Sequence, residues 1–324
     1  MRNEITLNHG SGGRQMHELI EKNIKKVLGE NTTSDDSAVV EINGRVAFTT
    51  DSYVVDPLFF PGGNIGALAV SGTVNDLLTC GAYPKFLSLA LIIEDGFSIN
   101  QLDEIIKTIA IFAKDAGIRI VTGDTKVVER GKGDGIFINT AGVGSVPEGR
   151  NISSSLVKPG DIIMVTGDMG THEMAMFKAR ENPPFELNIV SDVAPLNIQT
   201  LDLLRRTSDI HCIKDPTRGG LASALHEIST NSSCSIEIDE SSVPVHPQVA
   251  GACALLGFDP LYMANEGKFI ITGEAAIEEH VKNVFPDAVT IGKVTSGSDV
   301  YLKTEGGGIR RLGMLETMQL PRIC

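Results

Sequence analysis

Apolar positions along the chain alternate between two spacings, one helical and one extended. Met16, Leu19, Ile20, Ile24, Val27 and Leu28 recur three or four residues apart, which predicts a helix over about 14–28 that stops at Gly29. Residues 37–41 and 45–50 flank Asn43-Gly44, a hairpin signal, and predict two paired strands. The small-residue stretch from Asn64 to Cys80 predicts a helix with Gly81 beyond it, and 86–93 predicts an apolar strand. Ser98 and Gln101 have the spacing of a capping box that opens a helix to about Ala116. Strands over 118–122 and 136–146 complete the first half.

A polar run, 147–155, then separates a second series of alternating elements. Strands are expected over 162–166, 269–272, 289–294 and 300–303, and helices from Thr171 and over 196–206, 221–230 and 274–284. Such alternation predicts a mixed α/β protein of two layered domains, 1–150 and 151–312. After Gly306, Gly307, Gly308 and Gly313, residues 313–324 are expected to form a flexible arm. Pro321, which lacks an N–H, keeps its end extended.

Composition narrows the function. A net charge of −13 over 324 residues, with no basic run, excludes a nucleic-acid-binding role. Five scattered cysteines fit reduced thiols better than a disulfide framework. No apolar run reaches the ~20 residues of a membrane span, and Met1 leads straight into folded-looking sequence, so a cytoplasmic protein is expected.

Candidate chemistry collects around turns and strand ends. His9-Gly10-Ser11-Gly12-Gly13 feeds a helix start, where free N–H groups suit an anion or simply let the chain bend. In an unbulged hairpin Asp36 lies opposite Asp51, with Cβ atoms about 5 Å apart. Two carboxylates that close call for a proton or a cation such as Mg²⁺, unless one of them turns to water. Asp76, near a helix end, is either solvated or part of the same site; Asp124 and Lys126 follow a strand at what reads as a sheet rim. Asp215, before Pro216 and a double glycine, marks another helix entrance. Glu266, in a small-residue turn before a strand, is a candidate base or a surface turn. Asp168 and His172 read more readily as caps or surface groups than as catalysts, and Cys212 as core. The chain ends in Pro321-Arg322-Ile323-Cys324, a thiol on a terminal arm.

Taken as a set, these motifs resemble the HypE family of hydrogenase expression/formation proteins. That family lies in the superfamily of aminoimidazole ribonucleotide (AIR) synthetase, selenophosphate synthetase and thiamine monophosphate kinase. The resemblance rests on His9–Arg14, Asp35-Asp36-Ser37-Ala38, Thr49–Ser52, Val74–Leu77, Gly123–Lys126, Asp215–Gly220, Ala264–Gly267 and the terminal Pro-Arg-Ile-Cys. It implies an AIR-synthetase-like fold whose N-terminal sheets join across a homodimer, with ATP bound near that interface. It implies a partner carbamoyltransferase, HypF, that loads a carboxamide onto Cys324. ATP then drives dehydration to a thiocyanate, and the cyanide passes to iron on a HypC–HypD complex. Within that resemblance Asp36, Asp51, Asp76, Asp124 and Asp215 hold Mg²⁺ or orient the triphosphate, and Asp35 shares the role. Gly10, Ser11, Gly12 and Gly13 close over the phosphates, while Lys126 and Glu266 handle phosphoryl oxygens and protons. A selenophosphate synthetase would call for an N-terminal thiol where His9-Gly10-Ser11 has none, and a purine-pathway synthetase would not need Cys324. A non-catalytic scaffold or redox sensor is the remaining alternative.

Overall fold

The structure, a computed structural model, describes residues 4–11, 13–29, 37–314 and 319–323. The 14–28 periodicity is met by one rod. Helix α1 (Arg14–Leu19) continues through a π-helical turn, Ile20–Lys25, into α2 (Lys26–Leu28), and Gly29 at φ 89° ends it.

The first domain continues with β1 (Arg45–Tyr53), a small hairpin of β2 (Phe59–Phe60) and β3 (Gly63–Asn64), then α3 (Ile65–Thr79), β4 (Tyr83–Glu94), α4 (Ile99–Asp115), β5 (Arg119–Val128) and β6 (Ile136–Val146). Four of these strands form a sheet in the order β1-β6-β4-β5, antiparallel except for the β4–β5 pair. That parallel pair needs a crossover, and α4 supplies it. Strand alternation decides the faces. Leu87, Leu89, Leu91 and Ile93 are buried on the helix-covered face, while the opposite face is open to solvent, with Phe48 70% and Val46 52% exposed. Helix α3 is capped by Asn64, whose Oδ1 accepts the Gly66 and Ala67 N–H groups. From Ile65 to Leu78 every residue of α3 is buried except Asp76.

The second domain runs β7 (Ile162–Val165), α5 (Thr171–Glu181), α6 (Asn197–Arg206), β8 (Ile210–Lys214), α7 (Gly220–Ser232), β9 (Cys234–Asp239), α8 (Pro247–Leu256), β10 (Ile270–Gly273), α9 (Ile277–Val284), β11 (Val289–Ser296), β12 (Val300–Lys303) and β13 (Ile309–Arg311). Its seven strands are ordered β13-β12-β9-β11-β7-β10-β8. One apolar core extends from beneath α3 and α4 into the α5, α6 and α9 side of this domain, and a second lies under α7. Asn75 ties the domains together: its amide donates to the Ala194 carbonyl at 3.0 Å, and its Oδ1 accepts the Leu196 N–H at 2.9 Å.

Several expectations change. No hairpin forms about Asn43-Gly44; residues 37–43 carry no strand, Val39 is 98% exposed, and β1 pairs with β6 instead. The eleven-residue β6, alternately buried along its length, offers a longer ladder than the five-residue 37–41 segment could. Asp35 and Asp36 lie outside the described residues. Gly123–Lys126 sits inside β5, not beyond its end, because β5 stays paired with β4 as far as Val128. Ser98 does begin α4, but without a side-chain capping bond. Residues 319–323 are docked, not extended into solvent: Leu320 and Ile323 are buried in the main core. Burial of these two apolar side chains outweighs the terminal freedom that Pro321 suggested.

Candidate active site

The two domains meet over a cavity of about 170 Å³ lined by Asp51, Asp76, Asp215, Thr217, Arg218 and Glu266, among others. Each acid arrives by a different route. Asp51 lies on β1 opposite Thr140, whose hydroxyl reaches Thr73 of α3 at 2.5 Å, so Asp51 shares the helix-covered face. Asp76 emerges from buried α3 one turn before its end and accepts the Thr49 hydroxyl at 2.8 Å. Asp215 follows β8 directly, and Glu266 sits in the turn before β10. Gly72 makes the approach possible, since a Cβ there would stand 2.3 Å from the Tyr53 hydroxyl.

Bringing acids together in a partly dry cavity makes ionisation costly. Asp76 is pushed up to about 7, first by burial and then by Asp215, with the Thr49 hydrogen bond opposing. Glu266 is held well above the usual carboxylate range by burial and by Asp215, Asp192, Asp51 and Asp76. Asp215 is raised by burial, against the pull of Lys214. Glu266 Oε1 is buried without a hydrogen-bond partner. Hard oxygen donors that repel one another, one of them orphaned, suit a divalent cation. As placed, no three such side chains among the described residues converge to hold an ion alone. A Mg²⁺ ion would take its remaining ligands from phosphate oxygens and water.

The other candidates lie elsewhere. The β4–β5 register pairs Asp124 with Ala90 and Lys126 with Ile92, on the open face of the sheet, where Lys126 and Asp124 form an ion pair at 2.7 Å. Gly10 packs on Val127, the next residue of β5: a Cβ there would lie 2.8 Å from Val127. Ser11 and Gly13 are exposed beside it; Gly12 lies outside the described residues. Within one chain, then, Asp124 and Lys126 lie on the open sheet face, Gly10 packs at β5 on core-facing Val127, and Asp51, Asp76, Asp215 and Glu266 line the cavity.

Residues with no sequence signal complete the cavity's surroundings. Asp192 accepts the Glu266 N–H at 3.1 Å and the Asn265 amide at 2.8 Å, and the backbone passes so close that a Cβ on Gly267 would meet the Asp192 carbonyl at 1.7 Å. Its neighbour Ser191 is hydrogen-bonded to His172 at 2.7 Å, and His172 Nε2 lies 2.8 Å from the Ile323 carbonyl. The C-terminal segment is thus connected to the Glu266 backbone through His172, Ser191 and Asp192. His172 is wholly buried, not the cap or surface group its position suggested. Cys324 itself lies outside the described residues.

The sequence matches the family models for AIR synthase related proteins, the N-terminal domain over residues 34–146 and the C-terminal domain over 158–305. The chain is 43% identical to carbamoyl dehydratase HypE of Rhizobium leguminosarum bv. viciae, over 99% of its length and 95% of the relative's. It superposes on the crystal structure of hydrogenase maturation protein HypE in complex with ATP with a TM-score of 0.95, at 41% identity, covering 98% of this chain and 99% of that one. A crystal structure of a HypE–HypF complex matches with a TM-score of 0.82 at 42% identity, covering 94% and 100%. Within the AIR synthase related class, the chain belongs to the HypE family.

Proposed function

We propose that this protein uses ATP to dehydrate a carboxamide carried on the sulfur of its own Cys324 to a thiocyanate, as a source of cyanide for the iron of nickel–iron hydrogenase. The observation that carries this reading is the docking of residues 319–323 in the core, linked through His172, Ser191 and Asp192 to Glu266 of the acid cavity. The family's name and the ATP-bound relative support the reaction. The amide oxygen attacks the γ-phosphorus and ADP leaves; both nitrogen protons and the phosphate then depart, forming the carbon–nitrogen triple bond. The amide oxygen ends in inorganic phosphate.

Glu266, buried and surrounded by acids, favours its protonated form; once ionised, its high proton affinity suits it to accept a proton from the amide nitrogen. Arg218 at the cavity wall supplies a fixed positive charge to phosphoryl oxygens. Mg²⁺, when bound, would be held by Asp51, Asp76 and Asp215 and would neutralise the triphosphate. HypF is the partner expected to load the carboxamide, as the relative's complex supports, and a HypC–HypD complex the expected acceptor. ATP and a reduced thiol both belong to the cytoplasm, where we place the protein.

We further propose a homodimer. The open sheet face with Phe48 and Val46 is the surface a second copy would cover, and Asp124 and Lys126 on that face would then serve the partner's acid cavity, with the glycine turn at the neighbouring β5 edge. Intact mass of the carbamoylated protein after adding ATP tests the reaction: loss of one water from the C-terminal peptide is expected, and its absence refutes it. Mixing Lys126→Ala with Glu266→Gln protomers tests the shared site. Activity recovered in the mixture is expected, and none in any mixture refutes sharing.

A further inference from the structure

The docked segment is gripped by its backbone. Glu173 Oε2 accepts the Ala264 N–H at 2.8 Å, and the same carboxylate takes the Leu320 N–H. Arg180, two turns further along α5, donates to the Pro321 carbonyl at 2.7 Å and the Arg322 carbonyl at 3.0 Å. The Asp56 N–H adds a bond of 3.1 Å to Arg322, and His172 closes the series at Ile323. The Ile323 carbonyl can only accept, so in the neutral ring the proton sits on Nε2 and the Ser191 hydroxyl, which accepts the Val193 N–H at 3.1 Å, donates its own proton to His172 Nδ1. His172 Nε2–H then donates to the Ile323 carbonyl. Burial lowers the proton affinity of His172, which keeps this neutral donor form.

One face of one helix therefore satisfies four consecutive residues of the tail, and none of these bonds involves the residue beyond Ile323. Side-chain burial of Leu320 and Ile323 alone would hold the segment near α5 without defining its register. The hydrogen bonds define it, and Ser191-Asp192 carries that register to the Glu266 backbone.

We propose that His172, Glu173 and Arg180 are positioning residues, a clamp that sets the register of the tail against Glu266 and the balance between a docked tail and one released to a loading enzyme. The importance of that balance rests on the reaction proposed above; the clamp itself does not.

Two readouts on the full-length protein separate them. First, alkylation of Cys324 by iodoacetamide is monitored on the peptide released by cleavage after Glu316. His172→Phe keeps an aromatic ring against Phe60 but removes the donor, and Arg180→Met keeps the aliphatic stem. Each lost hydrogen bond is worth about a tenfold change at most. His172→Phe, losing one bond to the tail, is therefore expected to label Cys324 up to about tenfold faster, and Arg180→Met, losing two, up to about a hundredfold faster. The His172→Gln variant, which keeps a donor, recovers part of the slow rate. Cys212, Cys234 and Cys253, all buried, remain unlabelled if the fold is intact. Wild-type labelling rates in both His172→Phe and Arg180→Met overturn the clamp, as does labelling of the buried cysteines in step with Cys324. Second, single-turnover loss of water from the carbamoylated chain should slow about tenfold in His172→Phe while loading by the carbamoyltransferase is no slower. Equal slowing of both steps indicates a structural role and overturns the positioning assignment. No water loss even in the wild type refutes the reaction and leaves the alkylation result to judge the clamp.

Discussion

Asp76→Asn should make the ligand-free protein more stable and at the same time less able to hold nucleotide. Asp76 titrates at about 7 in the fold against an ordinary 3.8, a difference of roughly 3 units. At 1.36 kcal/mol per unit that is at most about 4 kcal/mol of cost once pH is well above 7, and about half that where water enters the cavity. Proton counting gives the sign. Between about pH 4 and 7 the unfolded chain has released this proton and the folded chain still holds it, so raising pH through that window weakens folding. Asparagine keeps the Thr49 hydrogen bond at 2.8 Å and removes the charge, along with its repulsion of Asp215 and Asp51. Thermal unfolding in chelator should show the variant about 4–8 °C more stable at pH 8, with the gain shrinking to nothing near pH 4. Added magnesium and ATP should stabilise the wild type and not the variant. A gain of the same size at pH 4 and pH 8, or none at pH 8, would refute the electrostatic account of this cavity.

Two other substitutions probe the same junction. Gly72→Ala forces a methyl group against the Tyr53 hydroxyl at 2.3 Å and should cost about 1–3 kcal/mol in urea denaturation. Adding Tyr53→Phe should recover most of that loss, and a double variant no more stable than the single one would show that the clash is not the cause. Glu266→Gln should slow single-turnover phosphate release from carbamoylated protein by about 10²–10⁴-fold, and an unchanged rate would remove Glu266 from the proton transfer.

Much of the architecture was legible along the chain because it depends on near neighbours. The apolar spacing of 14–28, the small-residue run of α3, the long strand β6 and the alternation of helix and strand are properties of local sequence, and each element appears close to its expected place. So were Asp51, Asp76, Asp215 and Glu266 as individual acids in turn or end positions. What local sequence could not decide was pairing. The Asn43-Gly44 signal lost to β6, which buries a longer ladder, and Gly123–Lys126 was absorbed into β5 by its pairing with β4. Pairing parity also put Lys126 and Asp124 on the sheet face away from the other acids, an outcome set by one residue of register.

The sequence by itself determined that this is an acidic two-domain α/β chain with a thiol at its end and acids spaced along it. It also carried the family resemblance. Only the tertiary structure decided which acids share a cavity, that Asp192 backs Glu266, and that His172, Glu173 and Arg180 hold the last residues in place. The hydrogen bonds among those contacts join residues up to 151 positions apart. Local spacing carries no trace of them, because burial and hydrogen bonding between distant segments are settled only when both domains close on one another.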